Sequence, residues 1–100
     1  MAQAAVKVLT VTQDTNAAIN APCFIHAVHA RNSGTGASSV DIHDATTVTG
    51  TAVISMAANT SDANVTFQEF YTVTFPTPLR MTTGVSVNVT NADVVNIYWS

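Results

Sequence analysis

The sequence predicts an all-β, single-domain antiparallel sandwich of seven or eight short strands. Three observations predict it. Thr, Val and Ile supply 35 of 100 residues, and Cβ branching suits a pleated surface. Leu, Glu, Lys, Gln and Arg, which favour helices, supply only nine. Turn signals recur about every ten residues, the spacing that a two-sheet sandwich or small barrel requires.

Alternation then places the elements in order. Val6–Thr12 reads as a first strand with neither face purely apolar, which fits an edge or an arm. Gln13–Pro22 reads as a connection. Residues 1–22 are therefore expected to be an N-terminal arm or edge strand that orders mainly on a partner, and residues 23–100 the sandwich domain. Cys23–Arg31 is the second strand, with Cys23, Ile25 and Ala27 on one face and Phe24, His26 and Val28 on the other, a mixture that implies burial on both sides. Asn32–Ser38 is a turn in which Gly34 and Gly36 can take positive φ. In Val40–His43, Val40 and Ile42 oppose Asp41 and His43. Asp44–Gly50 is a second connection, Thr51–Met56 a strand with Ala52, Ile54 and Met56 inward, and Ala57–Ala63 a loop.

Val65–Phe75 is the longest alternating run, interrupted on its apolar parity by Glu69. Pro76 and Pro78 are expected to end it, because proline cannot donate to a ladder. Gly84 punctuates the next turn, Val85, Val87 and Val89 share a face, and Asn91–Asp93 reads as a hairpin-type connection. Val95, Ile97 and Trp99 close the chain on one parity, with Val94, Asn96 and Tyr98 opposite.

Composition excludes several functions. Charged residues are 9% of the chain, against roughly 25% in an average soluble domain, which points to a surface packed against neighbours. Three basic residues cannot neutralise the phosphates that a nucleic-acid binder needs. No apolar run approaches the roughly 20 residues of a bilayer span, and Met1–Val8 lacks the pattern of a secretory signal. The single cysteine, Cys23, allows no internal disulfide and reads as a small buried hydrophobe.

Candidate chemistry is sparse. His26 and His29 are three apart on a predicted strand, so they point to opposite faces unless a bulge intervenes, and His43 with Asp41 would have to complete any metal site. Structural histidines are the preferred reading, and no cofactor or metal is expected. No nucleophile motif such as G-x-S-x-G is present, and Glu69, the only glutamate, has no evident partner for paired-carboxylate chemistry, so no enzyme is expected. Glu69 either pairs with Arg80 or Arg31, within or between chains, or lies at a solvated strand end. Tyr98 is the exposed candidate for an aromatic platform, whereas Tyr71 and Trp99 read as core.

Two segments carry a family resemblance. In "VDIHDATTVTGTAVISM" a strand ends in Asp44, a Thr-rich turn closes with Gly50, and a second strand follows. "FPTPLRMTTGVSVNVTNADVVNIYWS" has Pro78-Leu79, Gly84 before an alternating Val strand, and the aromatic ending Tyr98-Trp99. From Val40 to Ser100 the chain resembles small virion structural proteins of tailed bacteriophages, the capsid cement or decoration, head-fibre and tail components. The resemblance implies a jelly-roll-like sandwich, frequent homotrimers, a location in the virion, and a major capsid protein or other virion protein as partner. It covers about three fifths of the chain.

The function expected is a cement protein that stabilises a shell by bridging neighbouring subunits, with Val6, Val8, Leu9, Val11, Glu69, Arg80 and Tyr98 as candidate partner contacts. The alternatives are a head-fibre or tail component of the same fold, and a small ligand-binding sandwich of the carbohydrate-binding or adhesion kind, for which Tyr98 with a neighbouring ring would be the mark.

Overall fold

A computed structural model describes residues 5–32, 37–58 and 70–100. They form eight strands: β1 (Lys7–Val11), β2 (Thr15–Ile19), β3 (Cys23–Asn32), β4 (Ser38–His43), β5 (Ile54–Ala58), β6 (Phe70–Met81), β7 (Val85–Thr90) and β8 (Ala92–Trp99). Sheet I has the order β1-β8-β3-β6 and sheet II the order β2-β7-β4-β5, and all pairings are antiparallel.

The order has a simple logic. Folding the chain in half at the β4–β5 connection pairs β4 with β5, β3 with β6, β2 with β7 and β1 with β8. Successive pairs fall alternately in the two sheets, and β3–β8 and β4–β7 ladders join them side by side. That is jelly-roll topology, and the two sheets pack as a sandwich rather than closing into a barrel.

Side-chain alternation builds the core between the sheets. Sheet I contributes Val11, Ile25, Val28, Ala30, Val95 and Ile97, and sheet II Val40, Ile42, Ile54, Val85 and Val87, all buried. Each fully buried Val or Ile contributes about 1.5–3 kcal/mol relative to exposure. Tyr71 of β6 packs against this core and hydrogen-bonds the hydroxyl of Ser38 on β4, tying the sheets across the interior.

Several elements differ from the sequence reading. β2 lies inside the segment expected to be a connection. Its signal is weak because Ala17 sits at φ 49° and the ladder to β7 holds at only Thr15 and Ile19, so regular alternation is broken. β6 runs through Pro76 and Pro78 to Met81 instead of stopping before them. It is an edge strand, and Phe75–Pro78 bulge out opposite His26, between the Ala27–Thr74 and Ile25–Leu79 pairs. β5 starts at Ile54, because Thr51–Val53 belong to the connection, where the Val53 amide donates to Ile42 O (2.8 Å). Asn91 does not close a hairpin. β7 and β8 belong to different sheets, and Asn91, at φ 52°, turns the chain from one to the other. Gly34, Gly36 and the Val65–Glu69 part of the long run lie outside the described residues.

Two glycines are fixed by geometry. Gly50 has φ 81°, a backbone region that side chains strain. Gly84 lets β7 start against β2: a Cβ there would stand 2.5 Å from Ile19 O.

Candidate functional site: the outer face of sheet I

Each strand of sheet I turns alternate residues outward, and register aligns them in rows. One row runs Val8, Tyr98, Ala27, Thr74. The next runs Thr10, Asn96, His29, Thr72, and a third Val94, Arg31, Phe70. At the other end Phe24 faces Arg80 across one edge and exchanges two backbone hydrogen bonds with Ser100 across the other (2.9 Å each).

A β-bulge in β3 sets which residues these are. Ile25 pairs with Trp99, yet Ala27 pairs with Tyr98, so His26 is the extra residue and the parity changes there. Cys23, Ile25, Val28 and Ala30 therefore point inward and are buried, while Ala27 turns outward with Phe24 and His29. The expected grouping of Cys23, Ile25 and Ala27 holds only up to the bulge. The expected burial of β3 on both sides is also corrected: Phe24 is 44% exposed.

The face combines exposed apolar groups with polar pairs. Val8 (58%), Phe24 and Phe70 (60%) stand in solvent, and Val6, just before β1, is also exposed. Thr10 Oγ1 donates to Asn96 Oδ1, and His29 Nδ1 shares a hydrogen bond with Thr72 Oγ1 (2.8 Å each). The His29 ring lies 5.0 Å from that of Phe70. Arg31 makes a two-pronged pair with Asp93 (2.8 Å at both prongs). That hydrogen bonding raises the guanidinium pKa, outweighing partial desolvation. His26 Nε2 hydrogen-bonds Ser100 Oγ (2.8 Å). All three basic residues belong to this sheet, Lys7 on β1, Arg31 on β3 and Arg80 on β6.

The candidate contacts separate. Val6 and Val8 are exposed at the β1 edge, Arg80 is exposed on β6, and Tyr98 is half-buried between Val8 and Ala27. Leu9 packs against the core, and Val11 is 5% exposed within it, so neither presents a free surface. Glu69 lies outside the described residues, and Arg31, one of its two proposed partners, is held by Asp93. Phe24 and Phe70 were not among the expected contacts. Phe70 carried a legible signal, as the apolar exception on the parity of Thr66, Gln68, Thr72 and Thr74.

The outward side of sheet II is built differently. His43 and Ser86 point away from the core yet are buried (5% and 0% exposed), beside the connection that follows β4. Ser86 Oγ accepts from the Ala17 amide (2.9 Å) and donates to Ala45 O (2.8 Å). Asn16 Oδ1 accepts from the Val48 amide (3.0 Å). Asp44 accepts from the amides of Thr82, Thr83 and Gly84 and from the Thr82 hydroxyl (2.7–3.2 Å). Burial pushes its carboxyl pKa up, but these four donors outweigh burial and hold it below the usual range. His43 Nδ1 is buried and has no hydrogen-bond partner among the described residues.

Among the described residues no three His, Cys, Asp or Glu side chains gather as a metal would need. Cys23 is buried, and burial, with the nearby Asp44 carboxylate, raises its thiol pKa away from a reactive thiolate. An open cleft of about 450 Å³ is lined by Thr12, Gln13, Asp14, Val89, Asn91 and Ala92, and its one carboxylate, Asp14, accepts the Val89 amide (2.7 Å). No family model, curated protein or solved structure matches the chain.

Proposed function

We propose that this chain is a structural virion protein of a tailed phage, a capsid cement or decoration protein that docks on a shell through the outer face of sheet I. The observation that carries the reading is that face: Val8, Phe24 and Phe70 stand exposed on a chain with only 9% charged residues. Jelly-roll order and the resemblance from Val40 to Ser100 support it. Fold alone does not select a function.

The mechanism is burial. Each Val or Phe fully covered by the shell contributes on the order of 1.5–3 kcal/mol before association costs, and contacts repeated over a symmetric shell add by avidity. The carbohydrate-binding alternative is less supported, because half-buried Tyr98 has Val8 and Ala27, not a ring, as cross-strand neighbours.

The test is quantitative mass spectrometry of particles purified from a lysate in which the chain is expressed from its own genome. The chain is expected in fixed proportion to the major capsid protein and retained after a wash at about 1 M salt, where charge contacts are screened. Absence from the particles, or release at moderate salt, overturns the reading.

A further inference from the structure

The four sheet edges are not alike. β6 carries two prolines and a wide bulge, both of which block strand addition. β2 has left-handed Ala17 and a broken ladder. β5 lies against β6 at the far side of the sandwich. β1 has no proline, and all five of its residues pair in register with β8. Alternate residues of such a strand aim their N–H and C=O groups away from β8, a pattern that only another extended strand matches.

Edges of this kind are ordinarily guarded by a solvated lysine. Lys7 is the one charged residue of β1, and its Nζ lies 4.7 Å from the centroid of the Trp99 ring on β8. The ammonium is thus held over its own sheet rather than out past the edge, with Lys7 still exposed and Val8 exposed beside it.

We propose that β1 pairs with the β1 strand of a second copy of this chain, antiparallel and about a two-fold axis through Leu9. The register follows from three requirements. Directly opposed residues share a face, so outward Val8 and Thr10 must oppose outward residues, and inward Lys7, Leu9 and Val11 inward ones. Centring on Leu9 keeps all five residues paired: Leu9 with Leu9, Val8 with Thr10, and Lys7 with Val11 of the other copy. It also sets each lysine opposite a valine, so no like charges face each other. The result joins two copies of sheet I into one eight-stranded sheet. An antiparallel pair of identical strands has two-fold symmetry, so this contact makes a dimer, not the trimer that the family resemblance implies.

A five-residue edge buries little area, and a dissociation constant on the order of 10–100 μM is expected. The inference goes beyond the virion reading and does not depend on it. A chain missing from particles can still dimerise, and a monomer can still dock.

Sedimentation equilibrium of the full chain tests it. At concentrations on the order of 100 μM a species of twice 10.5 kDa is expected, dissociating on dilution. V8K/T10K sets like charges directly opposite across the axis and is expected to weaken association about tenfold, whereas V8K/T10E sets opposite charges there and restores it. Both variants lose the same Thr10–Asn96 hydrogen bond, so matched circular dichroism and denaturant midpoints show that folding is not the cause. A monomer throughout, a trimer, or equal association of the two double variants overturns the proposal.

Discussion

On sheet II the outward-pointing His43 and Ser86 are buried, while on sheet I Val8, Phe24 and Phe70 point outward into solvent. The two sheets have the same number of strands and the same antiparallel pairing. What separates them is the chain after β4: Ala45 O, the Val48 amide and the Asp44 carboxylate all bond residues of β2, β7 or the β6–β7 turn. Sheet II is therefore locked from outside by polar bonds within the chain, whereas among the described residues no connection covers the outer face of sheet I in that way. Polar groups that are buried must be paired, so the locked side is where single substitutions should cost stability. The bare side is where they should cost association.

The largest effect is expected at Asp44. Asp44→Ala removes four hydrogen bonds to a charged acceptor and leaves the Thr82, Thr83 and Gly84 amides without that partner. A loss of about 3 kcal/mol in denaturant unfolding is expected, because hydrogen bonds to a charged group contribute about 1.5–3 kcal/mol each and do not add fully. The same group gives stability a pH dependence. Its pKa is depressed in the folded state, so its contribution is fully present above the ordinary aspartate value near 3.9 and is lost as pH falls through the folded value. Asp44→Asn should flatten the stability profile in that acid window. An unchanged profile would mean that the carboxylate does not hold the turn.

Ser86 comes next. Its hydroxyl links the Ala17 amide to Ala45 O at the centre of the locked side. Ser86→Ala should cost about 1–3 kcal/mol, the penalty for stranding part-buried backbone groups. A midpoint equal to wild type would show that solvent reaches the site and that the connection covers sheet II only loosely. His43 gives the contrasting case on the same side, since its Nδ1 has no hydrogen-bond partner among the described residues.

The readable and unreadable parts of the fold divide along physical lines. β7 and the second half of β8 alternate cleanly, Val85-Val87-Val89 and Val95-Ile97-Trp99, because each carries one inward face without a bulge. β3 does not, because the bulge at His26 shifts its parity after the first three residues, and a bulge leaves no mark in a pattern of period two. β6 misleads for a related reason: prolines signal a stop unless the strand is known to be an edge, which is a property of the assembled sheet. The outer face of sheet I was half legible. Val6 and Val8 stand out as apolar residues on an edge strand, but Leu9 and Val11 share the segment and are turned inward, and Phe24 reads as core until the bulge is placed. The lock on sheet II was not legible, since Asp44 looked like a turn residue and its partners lie 38–40 positions away.

The smallest change in stability, and the sharpest test of the contrast, is expected on the bare face. Phe70→Ser and Val8→Thr remove side chains that are 60% and 58% exposed, so each should shift the unfolding free energy by no more than about 0.5 kcal/mol. If the outer face of sheet I docks on a shell, the same substitutions should reduce retention of the chain on particles, and the double variant should do so more than either alone. Ser86→Ala should show the opposite profile, with lower stability and normal retention by the fraction that stays folded. Equal retention of the Phe70→Ser/Val8→Thr double variant and wild type would remove sheet I as the docking face. Loss of stability in those variants would instead mean that the face is covered within the chain, and the two sheets would then differ less than their outer surfaces suggest.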